Sequence, residues 1–539
     1  MRSSSQALRA HTRSPRRRTV RARQRSRATL ATSDKRAYVQ IAALCFLAAD
    51  TTCATTYGDR VTLLPFSSPL FADVVSTGDM RALWTEERLL ATWMEVERAV
   101  VETQAELGMI PAEAARTISA KLDLATLPPS AVLDRKRVVG HPMVAFLKAF
   151  REACGPAAEH LHVGPTTQDV IDTGLKLQIR EAHRLVVREM LRLEDVLCTR
   201  ALAHRDDVMM GRSHQQHAVP VTLGFILACW AAEVRDHVER AKDSEPRWLL
   251  GTISAAVGTQ ASFVELAGRA AARELERRVC ARLGLGVPLA NLHARTDRFA
   301  EVVSNLALLS GSLGRMNLDV RSLQRPEVME IAVPDVPGVH WSSTMPNKLN
   351  AGPGERVDGV AKLLRGLAGA MQAVQVADDR DATRLPVELV SIPLAFMLAS
   401  RALQTTTDVV ARLEPLPDRM RANIDLEAGL GLAAAERIMI AAYRKTGEKD
   451  RAYEMLYECS RVARATSRHL TAVVREHPEL GRLFTAEELA ALCDPGTYVG
   501  TAPERVDEIV ADLARRRQLD LECYAGTAGA LPGHGDRAA

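Results

Sequence analysis

VHWSSTMPNKLNAGPGE, residues 339–355, sets two adjacent serines, Ser342 and Ser343, ahead of a Met345-Pro346 pair, a lysine at Lys348, an amide at Asn350 and a carboxylate at Glu355. Gly338, Gly352 and Gly354, with Pro337, Pro346 and Pro353, interrupt any regular element, so the stretch reads as a mobile loop that carries reactive groups. A serine hydroxyl works as a base only where nearby donors stabilise its alkoxide, and Lys348 offers a cation for a substrate carboxylate or a developing oxyanion. A plain polar surface loop is the competing reading.

Working outward, the chain around this loop is Ala/Leu-rich and helically periodic, with few strand signals. Segments 173–205, 219–243, 266–283, 296–324, 355–378 and 391–414 are each long for a globular domain, and their short connections imply an elongated helix bundle. Upstream, Leu83, Leu89, Leu90, Trp93, Met94, Val96, Val100 and Val101 keep helical spacing across 80–107 until Gly108 stops it, and a second helix is expected at 142–153. Downstream, 420–426 with Gly429 and Gly431 reads as a linker into shorter helices at 433–446, 449–475 and 486–493. The expected fold is all-α in three helical domains: 63–173, a central long-helix bundle at 174–418 that holds the loop, and a small C-terminal domain at 419–526, flanked by a basic extension at 1–62 and a tail at 527–539.

With 47% hydrophobic and 25% charged residues, the 539-residue chain has the composition of a soluble globular protein. Its formal charge of +4 is misleading. Residues 1–36 hold ten arginines between positions 2 and 27, then Lys35 and Arg36 against Asp34 alone, a net +11, which leaves −7 on the remainder. A mildly acidic body excludes a nucleic-acid footprint. The apolar run AYVQIAALCFLAA at 37–49 fits an export signal, an organelle targeting segment or translated upstream sequence outside the folded protein, and the last is the expectation. No apolar run reaches bilayer length, so no membrane partner is expected. Nine scattered cysteines without a C-x-x-C pair suit a reducing cytoplasm better than a disulfide framework or a zinc site.

Two further segments carry hydroxyl, amide and imidazole groups: Thr166-Thr167-Gln168, at the start of a long helix, and Arg212-Ser213-His214, on a segment that leads into the helix at 219–243. In a bundle, loops at one end can meet, within a chain or between chains, and these would assemble a site for a carboxylate-bearing ligand. Without metal-spaced clusters, a P-loop or a dinucleotide fingerprint, a cofactor-free and metal-free site is expected. The small-residue loop 254–259 reads equally well as close packing or as backbone donors for a ligand.

Ser-Ser-x-Met-Pro-x-Lys-x-Asn followed by Glu resembles the signature loop of the fumarase/aspartase superfamily, which includes adenylosuccinate lyase, argininosuccinate lyase and carboxymuconate cycloisomerase. GRSHQQHAVPVTLG at 211–224 and GPTTQDVIDT at 164–173 resemble its other two characteristic segments, in the same order. The resemblance covers roughly 64–520. It implies a homotetramer with a 20-helix core and sites built from three subunits, acting on a small dicarboxylate. It also implies roles: Ser342 as the base, Lys348 and Asn350 as holders of the carboxylate and its aci-carboxylate dianion, His214 on the acid side, and Glu355 polarising that histidine. Thr166, Thr167, Gln168, Arg212, Ser213, Ser343 and Met345 match substrate-binding positions. His141 and His162 match histidines of the adenylosuccinate lyase branch, against a reading as helix-end histidines.

The region beyond 420 looks like that of adenylosuccinate lyase, yet PFSSPLF at 65–71 replaces the Arg-Tyr pair that such enzymes use for the nucleotide phosphate. His293 is similar to cycloisomerases, the serine-arginine pair after Asp381 is missing, and Arg380 and Arg384 remain as anion contacts. His340-Trp341 and Ala351 replace two glycines and a proline of the signature loop. The resemblance therefore implies a C–N lyase that eliminates fumarate from a substituted aspartate or succinate, with a leaving group such as that of nitrosuccinate. The alternatives are the cycloisomerase reaction, adenylosuccinate lyase, and a silent structural relative, against which the intact Ser342, Lys348, Asn350, His214 and Glu355 argue.

Overall fold

A computed structural model describes residues 68–525 apart from 291–294, 337, 340–341, 375–381 and 429. The basic extension, the tail, His293, His340, Trp341 and Arg380 lie outside the described residues.

The longest described helix, α3, runs over Thr167–Ala203, after α1 (Glu86–Glu106) and α2 (Pro142–Cys154). Asp169 opens it: its carboxylate accepts the Thr166 N–H at 3.0 Å, the reciprocal half of a capping box. At 1.5 Å per residue, its 37 residues span about 55 Å. Val170, Leu177, Val186, Val187, Leu191 and Leu197 form its buried stripe.

The expected helix start at 219 gives way to a hairpin. Strands β1 (Val208–Ser213) and β2 (Gln216–Thr222) pair antiparallel, with Ser213 opposite Gln216. His214 and Gln215 both take left-handed φ, 51° and 63°, which gives a two-residue turn the right twist for a hairpin. Helix α4 then begins at Leu223 and runs to Trp248, capped by the Thr222 hydroxyl, which accepts the Phe225 N–H at 3.2 Å. Gly224 lets α4 cross the end of α3, since a Cβ there would lie 2.4 Å from the Ala201 carbonyl.

After α5 (Ala261–Arg282), helices α6 (Asp297–Leu323), α7 (Gly352–Ala373) and α8 (Arg384–Arg412) complete the central bundle. Its ends are fixed by contacts. Arg384 meets Asp172 near the start of α3, and Arg200 near its end donates to the Leu413 carbonyl, so α3 and α8 run side by side in the same direction. Arg212 in the hairpin meets Glu330 just past α6, and β3 (Ile331–Ala332) pairs with β4 (Glu414–Pro415) just past α8. The hairpin, the end of α6 and the end of α8 therefore share one end of the bundle, and Thr166 sits at the other.

Three apolar clusters follow this arrangement. One joins α1, α2, the start of α3 and α5; a second fills the long-helix bundle; a third, from Ala434 to Leu489, includes α10 (Ala435–Thr446) and α11 (Lys449–Thr466). The expected linker at 420–426 is helical instead, within α9 (Pro417–Ala428). Asn423 on α9 donates to Val328 O and Glu330, which gives the segment a packing reason to stay helical. A last helix, α12 (Ala502–Ala525), returns to the bundle. Buried Arg235 of α4 clamps it, binding Asp520 while holding Glu194 of α3 at 2.7 and 2.8 Å.

Helix α8 contains an 18-residue window apolar enough to cross a bilayer by length and composition, which amends the expectation from the sequence; 56% of that window is buried inside the protein, as in the core helix of a bundle. Cys154, Cys198, Cys280 and Cys459 are free and buried, in the role of small apolar residues.

Candidate active site

The signature loop leads into α7. Ser342 Oγ accepts the Met345 N–H at 3.0 Å, and the Lys348 N–H donates to Met345 O at 3.2 Å, so the serine sits at the head of a tight turn. Ser343, Met345 and Lys348 are exposed, and Ser343 lies 3.5 Å from the Thr344 hydroxyl. Asn350 lines a groove with Arg321, Pro334 and Gly354 between α6 and α7. Glu355 stands at the N-terminal turn of α7, 3.9 Å from Arg321; within one chain this arginine, not His214, is its ion partner.

His214 and Ser213 are exposed at the hairpin tip. Arg212, expected in ligand binding, makes its described contacts within the chain. Its guanidinium grips the buried Glu330 at 2.6 and 2.8 Å and donates to His217 Nε2 at 3.3 Å, bracing the hairpin against the end of α6. A bidentate pair to a carboxylate with no exposure leaves the guanidinium committed.

At the opposite end, Thr166 and Thr167 begin α3, and Gln168 Nε2 donates to Asp172 at 2.5 Å. Asp169 also accepts the Ser254 and Ala255 N–H groups at 3.1 and 2.9 Å, which answers the open question about the small-residue loop: these two donors are used inside the protein to seat it on α3. Under that joint lies a buried polar cluster. Lys176 Nζ donates to Thr252 Oγ1 at 2.5 Å, and Arg384 binds Asp172 at 2.7 Å with Glu388 at 3.5 Å. Burial, opposed by Asp172, brings the Lys176 ammonium down to about 8. Arg384, expected as an anion contact, is itself enclosed by two carboxylates.

Glu388 is 5% exposed, and burial pushes its carboxyl up to about 7, because Arg384 is taken mainly by Asp172. A carboxyl with a raised folded pKa favours folding fully below its unfolded value of 4.5, loses that contribution as pH climbs towards 7, and contributes a constant deficit above. Glu388→Gln should therefore be more stable than wild type by up to about 3 kcal/mol at pH 8, with the gap closing below pH 4.5. Thermal melts of both proteins across pH 4 to 9 measure this; a gap that stays constant with pH contradicts it.

His141 is an N-cap: its Nδ1 accepts the Val144 N–H at 3.4 Å at the start of α2, the helix-end alternative of the sequence reading. His162 instead faces Glu97 of α1 with Nδ1 2.6 Å from Oε1. The three segments do not gather at one end of a chain, since the Ser342 loop and the hairpin are separated from Thr166–Gln168 by the length of α3. Residues missed in the sequence, Glu97, Asp172, Lys176 and Glu330, sit inside amphipathic or loop patterns where nothing distinguishes them from solvent-facing charges. Asp169 was legible, three residues after Thr166 at capping-box spacing.

Comparison with known proteins adds to this geometry. The family described as lyase matches residues 74–366, and that described as adenylosuccinate lyase C-terminus matches 431–509. An N-acetyl-S-(2-succino)cysteine lyase of Dickeya dadantii is 35% identical over 82% of this chain and 96% of its own. Among solved structures, a fumarate lyase of Mesorhizobium sp. superposes with a TM-score of 0.74 at 32% identity over 81% of this chain and 98% of the other. A 3-carboxy-cis,cis-muconate lactonizing enzyme of Pseudomonas putida superposes with a TM-score of 0.74 at 30% identity over 83% and 99%.

Proposed function

The chain belongs to the fumarase/aspartase superfamily, in its adenylosuccinate lyase-like branch, and is a lyase; from that premise we propose that it eliminates fumarate from a substituted succinate or aspartate with Ser342 as base. The observation that carries this is the N–H of Met345 aimed at Ser342 Oγ at 3.0 Å. A donor fixed on the hydroxyl favours its deprotonated form, as a serine base requires. Lys348 and Asn350, on the same loop, hold the carboxylate next to the carbon that loses its proton and take up charge as the aci-carboxylate forms. His214 protonates the departing atom on the other face, with Glu355 of the assembled site polarising it.

Such a site needs more than one subunit. Ser342 and His214 belong to one end of the bundle and Thr166, Thr167, Gln168 and His162 to the other, about 55 Å of α3 away. Chains packed antiparallel bring unlike ends together, which supports a homotetramer with shared sites. Leu308, Leu318, Leu363, Leu389 and Val390 on α6, α7 and α8 are exposed in the single chain and offer the apolar surface for that packing.

The enclosure of Arg384 by Asp172 and Glu388 supports a leaving group other than a nucleotide, since a phosphate would have to compete with two buried carboxylates. Cleavage at nitrogen is the first reading; cleavage at sulfur is the second, supported by the 35% identity to the succinocysteine lyase. Absorbance in the fumarate band, with aspartate, adenylosuccinate, argininosuccinate, nitrosuccinate, carboxymuconate and an S-succinyl thiol offered in turn, tests it. Fumarate from one succinyl member with adenylosuccinate inert supports the proposal. Lactone formation from carboxymuconate alone, or turnover of adenylosuccinate alone, overturns it.

A further inference from the structure

His162 is held in an unusual way. It has φ of 59°, the left-handed region that a non-glycine residue enters at a cost of order 1 kcal/mol, and such strain collects at functional positions. The loop is pinned on both sides to keep it there: Gln104 Nε2 of α1 donates to Val163 O at 2.6 Å, and Ser262 Oγ of α5 donates to Gly164 O at 2.6 Å. This aims Nδ1 at Glu97 Oε1, 2.6 Å away. Glu97 has no exposed surface, and its other oxygen is buried without a hydrogen-bond partner.

A buried carboxylate with one hydrogen bond is costly unless that bond comes from a cation. The arrangement is therefore balanced only when His162 carries a proton on Nδ1, which makes Nε2 the free hand of the ring. Nε2 is not a buried orphan and meets no described acceptor, and the side chain is 12% exposed, so that edge opens towards solvent four residues before Thr166. Burial alone would lower the imidazole, but Glu97, through charge and hydrogen bond, and Asp169 outweigh it and raise it above 6.5.

We propose that Glu97 is a positioning residue of the active site, fixing the ring plane and the Nδ1 proton of His162 so that Nε2–H is presented as a donor to substrate held at the start of α3. This rests on the lyase reading above for where the donor is used. The groups facing His162 are Glu97 on α1 and Asp169 on α3; Asp169 is occupied by three backbone N–H groups, which leaves Glu97 as the partner that sets its orientation.

Two readouts test it in the intact full-length protein. Slow deuterium exchange at the histidine C2–H, read by peptide mass spectrometry across pH, gives the midpoint of His162 without any substrate. The pH profile of kcat/KM, on the substrate that the panel identifies, reports its use. Glu97→Gln should lower the His162 midpoint by about one unit or more and cut kcat/KM at pH 8 about tenfold, with a smaller loss at pH 6, and Glu97→Asp should restore part of both. Melting curves and gel filtration confirm that the variants fold and assemble; should Glu97→Gln fail to, Glu97→Asp with His162→Asn carries the comparison. An unmoved midpoint in an enzyme that turns over substrate overturns the inference alone. A shifted midpoint with an unchanged kcat/KM profile also overturns it, leaving a merely structural pair. A shifted midpoint in a protein with no turnover across the panel sinks the lyase reading, and the catalytic use of Glu97 with it.

Discussion

Ser342→Ala is expected to lower kcat by about 10³-fold or more while KM moves no more than a few fold. In the proposed site, substrate carboxylates are held by groups that the substitution leaves in place: Lys348 and Asn350 on the same loop and the hydroxyl and amide groups at the start of α3. Ground-state binding therefore survives. Proton removal does not, because alanine keeps the turn but offers no oxygen for the Met345 N–H, which lies 3.0 Å from Oγ in the wild type. The contrast with an ordinary surface turn is sharp: a hydroxyl that only closes a turn is worth about 1 kcal/mol of local stability and nothing in turnover. Steady-state kinetics with the panel substrate decide, and a loss below tenfold would remove Ser342 from the role of base.

What the sequence revealed about the fold came from periodicity over long windows. The expected helices at 173–205, 296–324 and 391–414 match α3, α6 and α8 within a few residues at most of their ends, because stripes such as that of α3 repeat over many turns. The hairpin escaped because its turn is His214-Gln215, two bulky residues at positive φ where Asn-Gly is the usual signal, and because alternation over Val219-Pro220-Val221 is too short to oppose the helical pattern after it. The segment around Asn423 was read as a linker from the glycines beyond it; the buried partner that keeps it helical, Glu330, is ninety-three residues away in sequence.

The candidate site could be proposed from the sequence as residue types but not as an arrangement. Ser342, His214 and Thr167 could be singled out from loop chemistry, but the ends they occupy follow only from counting: a helix from 173 to 205 already separates Thr167 from Arg212 by about 50 Å, which no single chain folded as a bundle can undo. Arg212 has a partner that the sequence hides. An arginine beside a serine and a histidine reads as a ligand contact, and nothing near it in sequence signals Glu330, the buried carboxylate past the end of α6 against which it braces the hairpin.

That separation of ends has a consequence with a large and countable effect. Thr167→Val and Ser342→Ala should each be nearly inactive alone, yet tetramers re-formed from an equal mixture should recover about a quarter of wild-type activity. If, as proposed, each site takes Thr167 from one subunit and Ser342 from another, then in random assembly each position is intact half the time and both together about one time in four. Sites contained within a single chain would give no recovery, because every chain carries one lesion. Mixing after mild dissociation, with unmixed variants taken through the same cycle, measures it. Activity that stays at the sum of the two variants, in mixtures shown by mass to have exchanged subunits, rules out sharing between opposite ends; recovery near a quarter supports the antiparallel packing proposed from the 37-residue length of α3.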